Sequence, residues 1–310
     1  MADAVSLVVN PSAGGGRALR IAPLAADALR RRGVDVATSR TTGLDHAREL
    51  AVAAALQGRA VVAVGGDGLV GAVADALRHV PDSVIGLIPG GRGNDLARTL
   101  GIPRDTEGAA SVVATGVARP LDLGAVYDGS NEAGRAFVGI ASVGFDSDAN
   151  RIANEAPSWL GGGAYAYGAL RALLRWRPAQ LTVRADGEEY DFSGFTVAVA
   201  NSRAYGGGMF VAPDAMLDDG LLDAVCVGKS SRARFLWSLP KVFRGTHVKE
   251  KRVRVLRGAE VEVAADGPFT MFADGDPIGE LPVTVRSLKG AVRMIVPVDG
   301  SPALPAAGAA

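Results

Sequence analysis

The chain has 310 residues, of which 48% are hydrophobic and 21% charged, and its 33 basic side chains balance its 33 acidic ones. This composition is typical of a globular protein long enough for two domains, and the formal net charge of zero excludes a global attraction to nucleic acid. The single cysteine, Cys226, excludes an internal disulfide, and the three histidines lie too far apart for the spacing of a zinc site. No apolar run reaches the ~18–20 residues that span a bilayer. We therefore expect a cytoplasmic protein without a nucleic-acid partner, which would meet a membrane only from the side.

Predicted strands and helices alternate along the first third of the sequence. Short apolar runs are followed by stretches in which Leu and Ala recur at helical spacing, and this alternation predicts a parallel sheet covered by helices on both faces. The predicted strands cover 5–9, 34–39, 61–64 and 84–88, and the predicted helices cover 17–32, 45–56, the stretch after residue 68 to about 78, and the stretch after residue 95.

Three glycine-rich loops, at residues 10–16, 65–68 and 89–95, each follow one of these strands. Because the carboxyl ends of parallel strands share one edge of a sheet, we expect the loops to converge into one binding site. Glycines let the backbone approach an anion closely, and a following helix points free N–H groups at it, so the loops predict phosphate binding. Asp67 within Gly-Gly-Asp-Gly does not suit a bare anion, but it suits a metal ion that accompanies the phosphate.

The pattern changes near residue 120, where short and often alternating strands are separated by Gly, Asp and Pro. This pattern predicts an antiparallel, sandwich-like second domain. We expect an α/β nucleotide-binding domain at 1–122, which the segment 297–310 could rejoin, a β-rich domain at 123–296, and a disordered tail from 301 to 310. The predicted strands of the second domain cover 137–143, 181–185, 195–200, 222–227, 252–256, 260–264, 269–273, 283–287 and 292–296, with helical inserts at 157–175 and 230–244.

Several common nucleotide and hydrolase motifs are absent. The first glycine loop lacks Gly-x-Gly-x-x-Gly, no loop continues into Gly-Lys-Ser/Thr, and no Gly-x-Ser-x-Gly elbow occurs. What remains is nucleotide phosphate held by backbone amides, with Asp67, Asp95 and Asp122 as candidate carboxylates for Mg²⁺. Asp274, within Ala-Asp-Gly-Asp, is either the tip of a hairpin or a functional acid, since Asp-Gly is also a strong hairpin signal.

An ordered set of short motifs runs through nearly the whole chain. The set comprises Asn10-Pro11, Gly65-Gly66-Asp67-Gly68, Gly93-Asn94-Asp95-Leu96-Ala97-Arg98, Asp122-Leu123-Gly124, Gly144-Phe145-Asp146, Asn201 with Gly206-Gly207-Gly208, Pro213-Asp214-Ala215 through Asp218-Asp219-Gly220-Leu221-Leu222, and Asp274-Gly275-Asp276. In these motifs the chain resembles the diacylglycerol kinase catalytic family, which includes bacterial soluble lipid kinases and the sphingosine and ceramide kinases.

The resemblance implies a two-domain fold, with the active site in the cleft between the α/β nucleotide-binding domain and the β-rich domain. It implies an ATP- and Mg²⁺-dependent kinase that phosphorylates a lipid hydroxyl, with diacylglycerol as the family's usual acceptor. It implies that Asp274 is the general base and that Asp67, Asp95 and Asp122 serve the catalytic Mg²⁺. It also implies a structural Mg²⁺ at Met216, Asp219 and Leu221, where Met216 and Leu221 would donate backbone carbonyls. The residues expected to contact the nucleotide are Asn10, Pro11, Gly14, Thr41, Gly65, Gly66, Asp67, Gly68, Gly91, Arg92, Gly93 and Asn94.

The chain departs from the usual family pattern at a few of these positions. Most bacterial relatives have Thr after Gly-Gly-Asp-Gly and Asn-Glu shortly after it, where this chain has Leu69, Gly71 and Ala72. Arg92 replaces a Thr in the third loop, and its guanidinium would neutralise phosphate charge. Asp276 stands where Glu is common. These departures motivate one alternative, a nucleotide- or lipid-binding regulator that has lost catalysis, and Gly-Gly-Asp-Gly itself leaves open a second, a kinase of another lipid or of an NAD-like acceptor.

Two segments combine basic and aromatic residues, which favours contact with an anionic membrane surface. Residues 230–257 contain nine Lys or Arg against Glu250 alone, interleaved with residues such as Phe235, Trp237 and Phe243. Residues 159–177 form a second such segment. A core-facing helix with a solvated basic face would give the same pattern. We expect transient membrane association, and a homodimer is possible.

Overall fold

The N-terminal part is built on four parallel strands in the order β4-β3-β1-β2, as the alternating pattern predicts. The computed structural model describes residues 3–129, 131–145 and 178–298. All six residues of β3 are buried, because helices cover both faces of this sheet. The elements are β1 (Ala4–Val9), α1 (Ala13–Arg30), β2 (Asp35–Arg40), α2 (Leu44–Leu56), β3 (Ala60–Gly65), α3 (Asp67–Leu77), β4 (Val84–Pro89), α4 (Asp95–Thr99) and α5 (Thr106–Thr115).

The C-terminal part is an antiparallel β-rich unit, which confirms the predicted change of pattern. Its elements are β6 (Arg135–Phe137), β7 (Ile140–Gly144), β8 (Ala179–Ala185), β9 (Glu188–Ala200), β10 (Leu222–Gly228), α6 (Arg232–Val242), a 3-10 helix (Thr246–Lys249), β11 (Val253–Gly258), β12 (Glu260–Ala265), β13 (Thr270–Ala273) and β14 (Asp276–Glu280). The predicted insert at 157–175, the segment 159–177, Asp146 and the tail from 301 lie outside the described residues.

One predicted strand is interrupted. The stretch 137–143 was expected to be continuous, but it forms the end of β6 and most of β7, with Val138 and Gly139 between them. The N–H groups of these two residues donate to the side chain of Asp274 instead of to a neighbouring strand. At this interruption, two backbone N–H groups bond to the Asp274 carboxylate and not to another strand.

Two long strands join the parts. β5 (Val117–Tyr127) and β15 (Val283–Val296) pair with each other along most of their length, and β15 also pairs with β4 on one side and with β12 further along. The stretches 283–287 and 292–296, predicted as separate strands, are one strand with a register shift between Leu288 and Val292. All described strands consequently belong to one hydrogen-bonded sheet, with a large hydrophobic core in each part and two smaller clusters in the C-terminal part.

Helix α3 is fastened to the C-terminal part at its far end. The carboxylate of Asp75 accepts from the N–H of Ala136 at 2.8 Å, and the guanidinium of Arg78 donates to the carbonyl oxygens of Ala133 and Gly134 at 3.0 and 2.7 Å. These contacts fix the helix that follows the Gly-Gly-Asp-Gly loop relative to β6. In the described residues, no helix combines the length and the apolar character needed to cross a bilayer.

Candidate active site

The three glycine-rich loops lie side by side at the carboxyl ends of β1, β3 and β4. The N–H of Asn10 donates to the carbonyl oxygen of Val64 at 3.2 Å. The N–H groups of Gly90 and Gly91 both donate to the carbonyl oxygen of Gly65, at 2.8 and 3.0 Å. Each loop is thus bonded to the end of the neighbouring strand, and the structure brings the predicted phosphate-binding loops together.

The other predicted nucleotide contacts belong to this edge as well. Thr41 follows β2, is buried, and its N–H donates to the carbonyl oxygen of Val9 at 2.9 Å. The side chain of Asn10 accepts from the N–H and the hydroxyl of Ser12, at 3.1 and 2.8 Å, which shapes the first loop. Pro11 lies in the loop after β1, and Gly14 lies in the first turn of α1, where its backbone is left-handed. The remaining residues lie around the end of β3 (Gly65, Gly66 and Gly68) and in the loop after β4 (Gly91, Arg92, Gly93 and Asn94).

Asn94 holds the third loop in shape. Its backbone is left-handed, with φ 52°. Its amide oxygen accepts from the N–H of Gly91 at 2.8 Å, and its amide nitrogen donates to the carbonyl oxygen of the same residue at 2.9 Å. The side chain is buried, and its two bonds to Gly91 form the turn from which the exposed Arg92 projects.

Asp67 caps the short helix α4 from the neighbouring loop. Its two carboxylate oxygens accept from the N–H groups of Asp95 and Leu96, each at 3.1 Å. A carboxylate at a helix N-terminus is favoured because the free N–H groups there carry partial positive charge. Burial nevertheless raises the pKa of Asp67, and the nearby Asp95 carboxylate raises it further.

Asp95 joins the N-terminal part to the C-terminal part. One of its oxygens pairs with Arg98 on α4, and the other accepts from the N–H of Gly207 at 2.6 Å. Asp95 is buried. Its carboxylate is therefore positioned by one contact from its own helix and one from a loop more than 100 residues away in sequence.

Asp274 is at once a hairpin residue and a buried acid. Asp274 and Gly275 form the two-residue turn between β13 and β14, with φ 50° and 100°. The carboxylate accepts from the N–H groups of Val138 and Gly139, at 3.0 and 3.1 Å. On its other side, it lies against α3 so closely that a Cβ built on Gly71 would be 2.6 Å from Oδ2. The hairpin that Asp-Gly predicts is therefore formed, and the same turn holds the carboxylate that the sequence also offered as a candidate functional acid.

The environment of Asp274 raises its pKa to about 7. Burial is the largest cause, and the carboxylates of Asp67 and Asp276 add to it, against the two backbone N–H groups that lower it. A carboxyl group with a pKa near neutrality can take up a proton and release it again at the pH of a cell, as a general base requires.

The donor set around Asp67 and Asp95 fits Mg²⁺. A Cβ built on Gly93 would lie 3.0 Å from Oδ2 of Asp95 and 3.6 Å from Oδ2 of Asp67, so both oxygens border the same spot on the third loop. Hard carboxylate oxygens with room for waters and substrate phosphates are the usual surroundings of Mg²⁺. Across the described parts of the chain, no three His, Cys, Asp or Glu side chains are grouped to hold a metal ion by themselves.

Asp122 was grouped with Asp67 and Asp95 in the sequence, but the structure surrounds its side chain with different residues. Only 1% of Asp122 is exposed. Its two carboxylate oxygens accept from the N–H groups of Gly220 and Gly290, at 2.6 and 2.7 Å. Gly290 lies in the register shift of β15, which explains why one strand is irregular there. Burial raises the pKa of Asp122, and the nearby Asp219 contributes.

The predicted structural Mg²⁺ residues lie beside Asp122. The side chain of Asp219 accepts from the N–H of Leu221 at 3.0 Å and pairs with Arg257. The sulfur of Met216 accepts from the guanidinium of Arg203 at 3.4 Å. Asp219 and Leu221 are therefore bonded to each other, and Asp219 already has a cationic partner.

Asn201 was noticed only as part of a motif, yet it joins the two carboxylate regions. Its side-chain amide nitrogen donates to the carbonyl oxygens of Asp122 and Val138, at 2.9 and 2.8 Å. Its backbone N–H donates to the carbonyl oxygen of Gly139 at 3.1 Å. Val138 and Gly139 in turn hold Asp274. No local sequence signal announces this role, because every partner of Asn201 is distant along the chain.

An apolar pocket lies in the C-terminal part between α6 and the strands β9, β10 and β11. Its volume is about 950 Å³ with its open mouth included. His247, only 5% exposed, lines it; the ring Nε2 lies 3.1 Å from the carbonyl oxygen of Val211, and Nδ1 has no hydrogen-bond partner in the described structure. Other lining residues include Phe145, Ala198, Tyr205, Met209, Val225, Phe235, Leu239, Val242 and Val253.

The outer face of α6 is apolar and surrounded by basic side chains. Trp237 is 73% exposed and Phe243 is 51% exposed, whereas Phe235 faces the pocket. Lys241 pairs with Glu250, the one acidic residue of 230–257. The exposed Arg244, Lys249 and Lys251 follow without an ion pair to any described residue.

Two family models together cover most of the chain. Residues 4–126 match the diacylglycerol kinase catalytic domain, and residues 139–296 match the YegS C-terminal NAD kinase beta sandwich-like domain. Among curated proteins, a diacylglycerol kinase of Mycobacterium tuberculosis is 35% identical over 299 residues, which are 96% of each chain. A diacylglycerol kinase of Bacillus subtilis is 30% identical over 86% of this chain and 88% of its own length, and a probable lipid kinase YegS of Salmonella arizonae is 28% identical over 83% and 82%.

Solved structures agree on the fold. A putative diacylglycerol kinase from Bacillus anthracis superposes with a TM-score of 0.77 at 22% identity, covering 95% of this chain and 98% of its own. Yeast NADH kinase complexed with NADH superposes with a TM-score of 0.51 at 10% identity, covering 94% and 82%. At such identities these matches speak for the fold alone.

Proposed function

Because this chain belongs to the diacylglycerol kinase family of lipid kinases, we propose that it transfers the γ-phosphoryl group of ATP to the hydroxyl group of diacylglycerol, giving phosphatidic acid. The observation that carries the proposal is the position of the Asp274 side chain. This carboxyl group, with a pKa raised to about 7, comes from the C-terminal part and packs on the helix that follows the Gly-Gly-Asp-Gly loop of the N-terminal part.

The N-terminal part holds the nucleotide. Backbone N–H groups of the three loops bind the phosphates, and the exposed Arg92 adds positive charge at the tip of the third loop. Asp67 and Asp95 would hold Mg²⁺, which would supply neutralisation of the charge on the transferring phosphoryl group. Burial, and after it the Asp95 carboxylate, raises the pKa of Asp67, and a bound cation would favour the charged form of the group.

Asp274 takes the proton of the acceptor hydroxyl. As the hydroxyl oxygen attacks the γ-phosphorus, its O–H bond breaks and the proton moves to a carboxylate oxygen of Asp274, while the bond from phosphorus to the β,γ-bridging oxygen breaks and ADP leaves. The N–H groups of Val138 and Gly139 keep the carboxylate in place during the transfer. Phosphoryl transfer depends mainly on positioning and charge neutralisation, so a held carboxylate suffices as the base.

The apolar pocket supports a lipid acceptor over a soluble one. The pocket is lined mainly by Phe, Val, Leu and Met side chains, with charged residues such as Arg234 and Arg252 also in the lining. Such a lining suits an acyl chain below a polar headgroup better than it suits a wholly polar nucleotide or sugar. Burial lowers the pKa of His247 and keeps the ring neutral at physiological pH, so that no buried charge opposes an apolar ligand.

The outer face of α6 brings the protein to the membrane in which such a lipid resides. Trp237 and Phe243 insert at the interface, and the basic side chains around them are attracted to anionic headgroups. The same helix forms one wall of the pocket and carries the membrane-facing side chains, so a lipid has a short path from bilayer to pocket.

The test is phosphoryl transfer from γ-labelled ATP with Mg²⁺ to a panel of acceptors. The panel contains dioctanoylglycerol, a long-chain base, a ceramide and NAD. We expect labelled phosphatidic acid as the main product. Labelled NADP would replace the proposal with a soluble acceptor, and labelling of another lipid would replace diacylglycerol. Nucleotide binding without transfer to any acceptor would favour a regulator that has lost catalysis.

A further inference from the structure

The loop that holds Asp95 also forms a wall of the apolar pocket. Tyr205 and Met209 pair as a narrow hairpin, with their N–H groups donating to each other's carbonyl oxygens at 3.1 and 3.0 Å. Both residues line the pocket. Between them, Gly206, Gly207 and Gly208 all have left-handed backbones, with φ of 65°, 87° and 109°. We call residues 205–209 the glycine hairpin.

The tip of the glycine hairpin reaches the nucleotide side. The N–H of Gly207 donates to Asp95, and a Cβ built on Gly208 would lie 3.3 Å from the guanidinium of Arg98, the other partner of Asp95. A Cβ built on Gly207 would meet no atom within 4 Å. The tip thus touches the carboxylate by a hydrogen bond rather than by packing, and a small movement of the hairpin would change the position of the Asp95 side chain.

The base of the glycine hairpin is bonded to the pocket walls. The N–H of Phe210 donates to the carbonyl oxygen of Val242 at the end of α6, at 3.0 Å. The carbonyl oxygen of Val211 lies against the ring of His247, which also lines the pocket. An acyl chain that enters between α6 and the sheet must therefore press on the same residues that set the angle of the hairpin.

From this continuous set of contacts we propose that the glycine hairpin couples the apolar pocket to the Asp95 carboxylate, so that an acyl chain in the pocket and Mg²⁺-nucleotide at the phosphate loops raise each other's affinity. The proposal rests on the lipid kinase function proposed above. Gly207 is a positioning residue, because it acts through Asp95. Coupling between two sites is reciprocal, so lipid must tighten nucleotide binding by the factor by which nucleotide tightens lipid binding.

The experiment measures binding without turnover. Equilibrium dialysis gives the Kd of Mg²⁺-ADP with and without 1,2-dioctanoyl-3-O-methylglycerol, which carries acyl chains but no hydroxyl to phosphorylate. We expect the lipid to lower this Kd about fivefold or more, within the range of measured couplings. The diacetyl analogue, whose chains are too short to fill the pocket, should leave it unchanged.

Variants locate the coupling. Gly207→Ala places a Cβ at φ 87° in open space, and Gly187→Ala does the same at φ 91° in the β8–β9 turn, so the two carry matched backbone strain. In Gly207→Ala we expect the lipid to have no effect on the Kd of Mg²⁺-ADP, and the KM for ATP to rise only when long-chain diacylglycerol is the acceptor. In Gly187→Ala we expect the lipid effect on the Kd and the KM for ATP to equal those of the wild type.

An unchanged Kd of Mg²⁺-ADP with the dioctanoyl lipid, or a full lipid effect in Gly207→Ala, would overturn the coupling. Failure of the proposed function has a different signature, which is the absence of labelled phosphatidic acid from the wild-type protein. The binding experiment needs no transfer, so the two results are read separately.

Discussion

Gly71 on α3 and Asp274 in the β13–β14 turn approach each other so closely that a Cβ at residue 71 would lie 2.6 Å from Oδ2 of Asp274, and the carboxylate or the helix would have to move to admit it. Gly71 is buried within the helix. Glycine is unfavourable within a helix, but here its missing side chain leaves the space that the carboxylate of Asp274, the proposed base, occupies.

Gly71→Ala should lower kcat by about a hundredfold, because displacement of a catalytic group by about 1 Å typically costs that much. The KM for ATP should change little, since the phosphate loops are untouched. Steady-state kinetics on dioctanoylglycerol measure both. Gly43→Ala, at a position where a Cβ would meet nothing within 4 Å, is the control and should be as active as the wild type. A Gly71→Ala enzyme of normal kcat would contradict the contact.

Asp274→Asn should lower kcat about 10²- to 10⁴-fold, the usual contribution of a general base. The chain offers a close control in Asp186, which also lies in a hairpin turn with φ 45° and accepts two backbone N–H groups, from Ala259 and Glu260. Asp186→Asn should leave kcat unchanged. Equal losses in the two variants would show that the Asp274 change acts through the turn and not through the chemistry.

The activity should depend on pH through Asp274. Its pKa is raised to about 7, and the base must be deprotonated, so kcat/KM should fall about tenfold for each pH unit below 7 and level off above it. Initial rates between pH 5 and 9 measure the profile. A rate that stays constant down to pH 5 would exclude this carboxyl as the base.

The same shift has a consequence for stability with a definite sign. Between the unfolded pKa of 3.8 and the folded value of about 7, the folded protein binds more protons at Asp274 than the unfolded chain does. The free energy of unfolding should therefore fall with rising pH in this window, and Asp274→Asn should flatten part of that slope. Urea titrations at pH 5 and 8 test it; an identical slope in the variant would contradict the shift.

Asp67→Asn separates capping from metal binding. The Asn side chain keeps one of the two oxygens that accept from the N–H groups of Asp95 and Leu96, so part of the cap on α4 should persist. The lost charge should raise the Mg²⁺ concentration needed for half-maximal activity at least tenfold. Asp105→Asn changes the same residue type at the N-terminus of α5, where Asp105 accepts from Gly108 at 2.7 Å, and should leave the Mg²⁺ dependence unchanged. An unaltered Mg²⁺ requirement in Asp67→Asn would remove Asp67 from the metal site.

Membrane binding should depend on α6. Trp237→Ala should reduce co-sedimentation with vesicles that contain anionic lipid several-fold, because its exposed ring is the largest apolar group on that face. Leu56→Ala removes a side chain of similar exposure, 75%, from α2 and should have no effect. Binding that is equal in the two variants, or independent of anionic lipid, would assign the membrane contact to another surface.

The sequence predicts the parallel half well, because each strand there pairs with others that follow the same local rules. The convergence of the loops after β1, β3 and β4 could be inferred from the order of strands and helices alone. The tertiary neighbours of single acids could not. Asp122 looks like Asp67 in sequence, yet its carboxylate is turned toward Gly220 and Gly290, since the register shift in β15 supplies a donor there.

The turn at Asp274 is a case in which the local structure is predictable from the sequence but its tertiary contacts are not. The dipeptide Asp-Gly predicts a hairpin correctly, but nothing within the hairpin indicates that it packs on α3 or that β6 and β7 are interrupted to supply two donors. The glycine run at 206–208 predicts a turn in the same local sense, and its contact with Asp95 depends on a chain separation of over 100 residues.

The last described strand, β15, links the folding of the two parts, because it contributes to the cores of both. Val283 and Val285 of β15 belong to the core of the C-terminal part, and Met294 and Val296 belong to the core of the N-terminal part. During synthesis, residues 4–126 emerge from the ribosome long before the strand that must lie between β4 and β5. The sheet of the N-terminal part is therefore incomplete until β15 has been synthesised, and a fragment that stops before residue 283 would lack the strand that pairs with both β4 and β5.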